Sequence, residues 1–270
     1  VSKGTIHNLF HNLSFLKNHL LCSIVRWSGV ISVDEKWLKI RGKWHYVLSA
    51  VDNKTGFPLF YTVSSDLKGD TWKLFFQRFY KLYGVPNMII SDGSKALAYG
   101  LEAVFPNVNH QLCKFHKYKN LLDRIYRLRK GKLKRRCLRL ADGIFNNQSY
   151  FGRKRAAQQL AELGVPYVSE YVQNNILDHW HKLTKMKTSN ASERWNRKIE
   201  KVAAKRYGLK TIGFVDQLMA ALWIKEAIRD KRHLQNTYLD QVDFPWICQE
   251  NVKVCNIIDT IKHKLLKAVA

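Results

Sequence analysis

The sequence predicts an α/β protein: a mixed five-stranded sheet flanked by helices and interrupted by an all-α insertion. Two observations lead there. Between residues 31 and 113, segments of strand composition are separated by strong turn residues and by two stretches of helical spacing. From Lys114 onward the spacing stays helical, and the composition turns sharply basic.

Residues 1–27 read as helical. Ser2–Phe10 has the layout of the recognition half of a helix-turn-helix, the remnant of a DNA-binding motif, but a lone amphipathic helix is the favoured reading because no preceding helix is visible. Ile31–Ile40 is rich in β-branched and aromatic residues and reads as the first strand. Arg41-Gly42-Lys43 turns the chain into Trp44–Val51; Asp52–Gly56 turns it again, and Phe57–Ser64 completes an antiparallel meander. Trp72, Phe75, Phe76, Phe79 and Leu82 share one face of a helix over Asp70–Tyr83, which Gly84-Val85-Pro86 ends. Met88–Ser91 is a fourth strand, Lys95–Val104 a short helix and Val108–Cys113 a fifth strand. The helical stretch that follows is broken at Gly164-Val165-Pro166, and a long helix opens near Glu193 and runs toward Tyr207. Apolar stripes at Phe214, Leu218 and Leu222, and at Val254, Ile257, Ile258 and Ile261, extend the helical pattern. The expected organisation is an N-terminal segment (1–27), a sheet domain in two parts (28–113 and 187–225) around a basic insertion (114–186), and C-terminal helices (226–270).

The net charge is +25, from 46 Lys and Arg against 21 Asp and Glu. A charge of this sign and size predicts a polyanionic partner, since neutralising phosphates releases counterions. Twelve of the basic residues fall between Lys114 and Arg139 against a single acid, Asp123, with Tyr118, Leu121, Leu122 and Ile125 interleaved. So many like charges repel one another without a counter-charge, which favours phosphate binding over a merely solvated helix face. Lys114, Lys117, Lys119, Arg124, Arg127, Lys132 and Arg135 are the expected DNA contacts. The five cysteines are scattered, with no CxxC pair, so neither a disulfide framework nor a four-cysteine zinc site is supported and reduced thiols are expected. No apolar run approaches the roughly 20 residues of a membrane span, and no signal peptide is visible.

Against this basic background, three acids stand out. Asp34 lies in the middle of an apolar strand, Asp92 closes another, and Glu193 occupies the first turn of a helix. Phosphoryl transfer on nucleic acid commonly uses two divalent cations roughly 3.5–4 Å apart, and Mg2+ prefers hard oxygen ligands. Each acid has a plainer explanation when taken alone. Asp34 could be solvated, Asp92 could belong to an Asp-Gly turn, and the spacing Asn190-x-x-Glu193 is that of a capping box. The order of elements joins them: three strands, helix, strand, helix, strand is the order of a ribonuclease H-like fold, in which the first and fourth strands are parallel neighbours. Cys113-x-x-His116 follows the fifth strand directly. Two ligands are too few for structural zinc, with His179 and His181 only speculative completions, so packing or hydrogen bonding is favoured there.

Several motifs in sequence order carry a family resemblance: Asp34 followed by Lys-Trp-Leu-Lys-Ile-Arg-Gly-Lys; Ser91-Asp92-Gly93; Gln111-x-Cys113-x-x-His116-x-x-x-Asn120; and Ser189-Asn190-x-x-Glu193-x-x-Asn196-Arg197. Over about residues 30–215 the chain resembles DDE transposases of the Mutator-related group. The resemblance implies catalysis by Asp34, Asp92 and Glu193 on two Mg2+ ions, with Mn2+ as substitute. It places Cys113, His116, Asn190, Asn196 and Arg197 in the neighbourhood of the active site. It also implies cleavage of double-stranded DNA at transposon ends and strand transfer into target DNA. By analogy the enzyme would act as a homodimer or larger assembly, in the cytoplasm at the nucleoid of a prokaryote or in the nucleus of a eukaryote. A non-catalytic, domesticated DNA-binding protein and another ribonuclease H-like nuclease are the alternatives.

Overall fold

A computed structural model describes residues 27–185, 187–204, 209 and 211–229. The chain divides into two compact units, residues 27–216 and residues 1–26 with 217–270. Of the second unit, only the last part of one helix is described. The expected N-terminal helix, its helix-turn-helix reading and the stripe from Val254 to Ile261 lie outside the described residues.

The sheet has five strands in the order β3-β2-β1-β4-β5. They are β1 (Val30–Ile40), β2 (Lys43–Asp52), β3 (Pro58–Ser64), β4 (Met88–Ser91) and β5 (Asn109–Leu112). β1, β2 and β3 form the antiparallel meander, and β4 and β5 run parallel to β1 on its other side. This is the mixed, ribonuclease H-like sheet that the order of elements predicts. The β1–β2 turn is Arg41-Gly42, with Ile40 paired to Lys43 and both turn residues at positive φ, 47° and 81°. Two-residue hairpin turns need such dihedrals, which glycine adopts freely and arginine does not.

Register sorts the side chains of the sheet. Val33, Ala50 and Phe60 are cross-strand partners on one face, and Phe75 of helix α1 (Gly69–Tyr83) packs on Phe60 with ring centroids 5.1 Å apart. α1 buries Trp72, Phe75, Phe76 and Phe79, the stripe legible in the sequence, and packs against α2 (Lys95–Val104). Asp34, Ser49 and Tyr61 share the opposite face.

The insertion is α-helical and contains α3 (Lys114–Tyr126), α4 (Lys132–Asn146), α5 (Tyr150–Glu162) and α6 (Val168–Val172). A π-helical turn, Gln173–Leu177, and a single 3-10 turn, Trp180–Lys182, follow; neither is signalled by the periodicity. Its core is separate from the sheet's helix α1 cluster and includes Leu121, Ile125, Ile144, Phe145, Leu160 and Val172. Its two ends meet: the Lys114 amide donates to the Lys187 carbonyl at 2.8 Å. The chain then enters α7 (Asn190–Ala204) and α8 (Ile212–Arg229). Among the described residues no helix is long and apolar enough to cross a membrane. Cys113 and Cys137 are free and buried.

Candidate active site

β1 pairs with β4 only from Val30 to Ser32, so from Val33 its β4-side edge has no strand beside it until the isolated bridge of Ile40 to Leu209. Asp34 lies just past the last pair, and Asp92 directly follows the end of β4. Two adjacent parallel strands therefore deliver their acids to one edge. Asp92 is fixed by an Asx turn, its Oδ1 accepting from the Ser94 amide at 3.0 Å, while the Ser94 hydroxyl caps α2 by accepting from the Leu97 amide. Gly93 between them has φ 82°, a conformation that suits glycine. Beneath the loop, Ser91 is fully buried and its hydroxyl lies 2.8 Å from His110 Nε2. Burial, helped by the charges of Lys182, His181 and Lys117, holds His110 down at about 4. Neutral at ordinary pH, the imidazole can accept the Ser91 proton.

α7 supplies the third acid. Its start is anchored at Ser189, a buried residue whose amide and hydroxyl both donate to Cys113 Sγ, at 3.3 and 3.0 Å. One turn further, buried Trp195 donates through Nε1 to Ser49 of β2 at 3.1 Å. The helix thus lies over the Asp34 face of the sheet. Glu193 and Asn196, three residues apart, share a helix face. Asn196 Nδ2 donates to Asp34 Oδ2 at 2.9 Å, and Glu193 Oε1 lies 3.4 Å from His116 Nε2. Arg197 reaches Glu193 only loosely, at 4.0 Å. The Glu193 amide donates to the Ser189 carbonyl, which makes Ser189, not Asn190, the residue at the helix start. Asn190 is the first helical residue and is exposed. The capping-box spacing therefore does not account for Glu193.

The electrostatics tie these groups together. Burial, the dominant cause, raises Asp34 to about 7; the charges of Glu35 and Asp92 add to it, against an opposing pull from His116. His116 is raised to about 9, first by the Cys113 sulfur beside it and also by the carboxylates of Asp34 and Glu193, against the effect of its own burial. Burial pushes the Cys113 thiol up, but hydrogen bonding from His116 and Ser189 outweighs it and leaves the thiol below its ordinary value. His116 is thus a cation felt by both Asp34 and Glu193.

A family model described as a DDE domain, of the IS240 transposase type, matches residues 28–143. Over that stretch the chain is similar to a DDE domain. No curated protein matches it. Among solved structures, a chain of the simian T-cell lymphotropic virus intasome in complex with PP2A regulatory subunit B56 gamma is 12% identical, over 46% of this chain and 52% of that one, with a TM-score of 0.26. The HTLV-2 integrase catalytic core domain in complex with magnesium, in a trimeric form, is 15% identical, over 45% of this chain and 86% of that one, with a TM-score of 0.27. The chain spans about half the length of the first.

The matched span of the DDE domain holds Asp34, Asp92, Cys113 and His116 and ends before Glu193; it is the geometry of α7 that brings Glu193 to His116. The basic residues of the insertion divide. Lys119, Arg127, Lys132 and Arg135 are exposed, and Lys114 is partly so. Arg124 lies flat on the Tyr171 ring at 4.1 Å. Lys117 corrects the expectation of a solvent-facing phosphate contact: it is buried, its pKa is lowered chiefly by desolvation, and Asp92 partly offsets the shift. One turn after Cys113 on α3, it faces the acids, not solvent.

Glu35 was not expected at this site, because alternation along a strand sends it to the face opposite Asp34. Asp92, beside the strand edge, nevertheless acts on both. Burial and the charge of Asp92 raise the Glu35 pKa; Oε1 accepts from Trp37 Nε1 at 3.3 Å, and Oε2 is buried with no hydrogen-bond partner. Among the described residues, no three His, Cys, Asp or Glu side chains converge on one ion position. The donor set nevertheless fits a hard divalent cation. The acids offer hard oxygen donors, burial together with the charges of Glu35 and Asp92 raises Asp34, and one oxygen of Glu35 is orphaned.

Proposed function

We propose that this protein is a transposase that cuts DNA at the ends of a mobile element and joins the freed 3′-hydroxyl to target DNA. The likeness of residues 28–143 to a DDE domain supports polynucleotidyl-transfer chemistry. The observation that supports the finer reading is that Asp34 of β1 and Glu193 of α7 share one imidazolium, His116, while Asp92 at the end of β4 acts on Asp34. Asp34, Asp92 and Glu193 are the residues that would hold divalent cations, Mg2+ or Mn2+, which supply Lewis-acid activation and charge neutralisation during in-line displacement.

The protein's own groups prepare the site. Asn196 donates to one oxygen of Asp34 and the Glu35 amide to the other, and each oxygen keeps a lone pair for a ligand. The Ser94 amide orients Asp92. His116 steadies Glu193 and keeps positive charge beside acids that would otherwise repel one another. The exposed Lys119, Arg127, Lys132 and Arg135 of the insertion would hold the phosphate backbone, and assembly of two or more copies on paired ends is part of the same proposal. The test is nicking and joining of duplexes that carry the inverted repeats flanking the gene, with Mg2+ or Mn2+ present. Activity lost in Asp92→Asn with duplex binding retained supports the reading. Nicking and joining unchanged in that variant would overturn it, and salt-sensitive binding indifferent to metal would mark a non-catalytic DNA binder.

A further inference from the structure

The odd-numbered face of β1 changes character along its length. Ile31 and Val33 are core residues, fully buried or nearly so. Beyond the half-covered Glu35, the same face carries Trp37 and Lys39, paired across the hairpin with Tyr46 and Trp44. The other face stays covered to the tip: Leu38 and Ile40 are buried, and Lys36 is paired with Glu200 of α7 at 2.9 Å. The hairpin therefore presents one open side. On it, Trp37 and Trp44 are 50% and 51% exposed, a large share for the two bulkiest side chains of the strands. Trp37 packs edge-on against Trp44 at 5.8 Å and against Tyr46 at 5.2 Å, and Lys39 Nζ stands 5.7 Å from the centre of the Trp44 ring. Each edge-on contact takes up one face of one ring and fixes the pair, while half of each indole stays open to solvent. Lys39, Arg41 and Lys43 are exposed around them.

We infer that this hairpin face is a stacking platform for unpaired DNA bases beside the carboxylate site. Ring faces ringed by Lys and Arg match a flexible strand, since bases stack on aromatics whatever their identity and phosphates pair with the cations. A paired duplex hides its base faces within its own stack and offers the rings nothing but phosphate and groove edges. A second copy of the same cationic patch would be repelled. The platform is joined to the site by one bond, Trp37 Nε1 to Glu35 Oε1, and Glu35 in turn feels the charge of Asp92. A strand melted at the scissile position would thus have its displaced bases held next to the acids. The inference rests on the strand-transfer reading for its purpose but not for its measurement.

The measurement is anisotropy of labelled 12-nucleotide probes against the full chain in chelator: a single strand, a blunt duplex, and a duplex with mismatched ends. Trp37→Ala and Trp44→Ala should each weaken single-strand and frayed-end binding about tenfold, and the double variant about a hundredfold. Blunt-duplex affinity should stay within about twofold. Trp37→Phe with Trp44→Phe should keep most of the affinity, which separates stacking from loss of fold. Equal losses on all three probes in the alanine variants, or no loss on any, would overturn the platform. So would self-association that is abolished by the same substitutions and blocked by no probe. Binding is read without metal and cleavage separately with Mg2+ or Mn2+ present, so ring-dependent binding with no cleavage in the second assay would defeat the transposase reading and leave the platform standing. Cleavage with ring-independent binding would do the reverse.

Discussion

Replacing Asp34 by Asn should make the metal-free protein more stable while removing its capacity to be stabilised by metal. The Asp34 carboxyl is raised from 3.8 to about 7, chiefly by burial. Unfolded, it ionises near 3.8; folded, only near 7, so the folded state binds more protons between these values. Stability must therefore fall as pH rises from about 4 to about 7, and the cost is complete above 7. Roughly three pH units at 1.36 kcal/mol each make this about 4 kcal/mol. An asparagine has no charge to bury and can still accept from Asn196 through its amide oxygen, although its amide nitrogen then faces the Glu35 amide, which offsets part of the gain. At pH 8 in chelator, Asp34→Asn should thus gain at least about 2 kcal/mol, about 4–8 °C in midpoint for a unit of this size. At pH 4 the difference should vanish. Mg2+ or Mn2+ at a hundredfold excess over its Kd should return about 2.7 kcal/mol to the wild type and little to the variant. Thermal unfolding across pH 4–8.5, with and without metal, reads all of this. A variant less stable than wild type at pH 8 in chelator, or a gap that does not vary with pH, would refute the account of a buried carboxylate strained by its neighbours.

Three further outcomes are expected. Glu193→Gln should lower metal-dependent nicking by about a thousandfold or more while circular dichroism and duplex affinity stay at wild-type levels; a loss below tenfold would remove Glu193 from the site. In wild type the His116 ring should titrate near 9 by NMR, and Cys113→Ala should bring it down, since the sulfur is the leading cause of the rise; an unmoved midpoint would contradict the pairing. Trp195→Phe should cost about 1–3 kcal/mol in denaturant midpoint by stranding the buried Ser49 hydroxyl, and should impair activity through displacement of α7; unchanged stability would show that the helix is held by other contacts.

Much of the sheet was legible because its signals are local. β-branched runs, the Asp52–Gly56 turn, the aromatic stripe of α1 and Gly84-Val85-Pro86 each act over a few residues, and the strand order followed from their succession. Asp34 and Asp92 were legible for the same reason, as acids at the edges of apolar strands. What escaped depends on contacts distant in the chain or on departures from ideal periodicity. Ser189 reaches Cys113 across 76 positions, which no spacing rule can reveal. Lys117 looks like one more charge in a basic run, and only the packing of α3 against the acids buries it. Glu35 was hidden by strand alternation, which assigns it to the face opposite Asp34, whereas the charge of Asp92 at the end of β4 acts on both. The π-helical turn at Gln173–Leu177 has no periodic signature to find.

The closed neck of the insertion, where the Lys114 amide meets the Lys187 carbonyl and Ser189 meets Cys113, bears on how such a protein can change over time. Entry and exit are side by side, so the path between them does not set the distance from β5 to α7. Helices could be added to or pared from the insertion, and its DNA preferences rewritten, with Glu193 left where it is. The neck makes the insertion an exchangeable module, and selection on target choice can act there without reopening the chemistry.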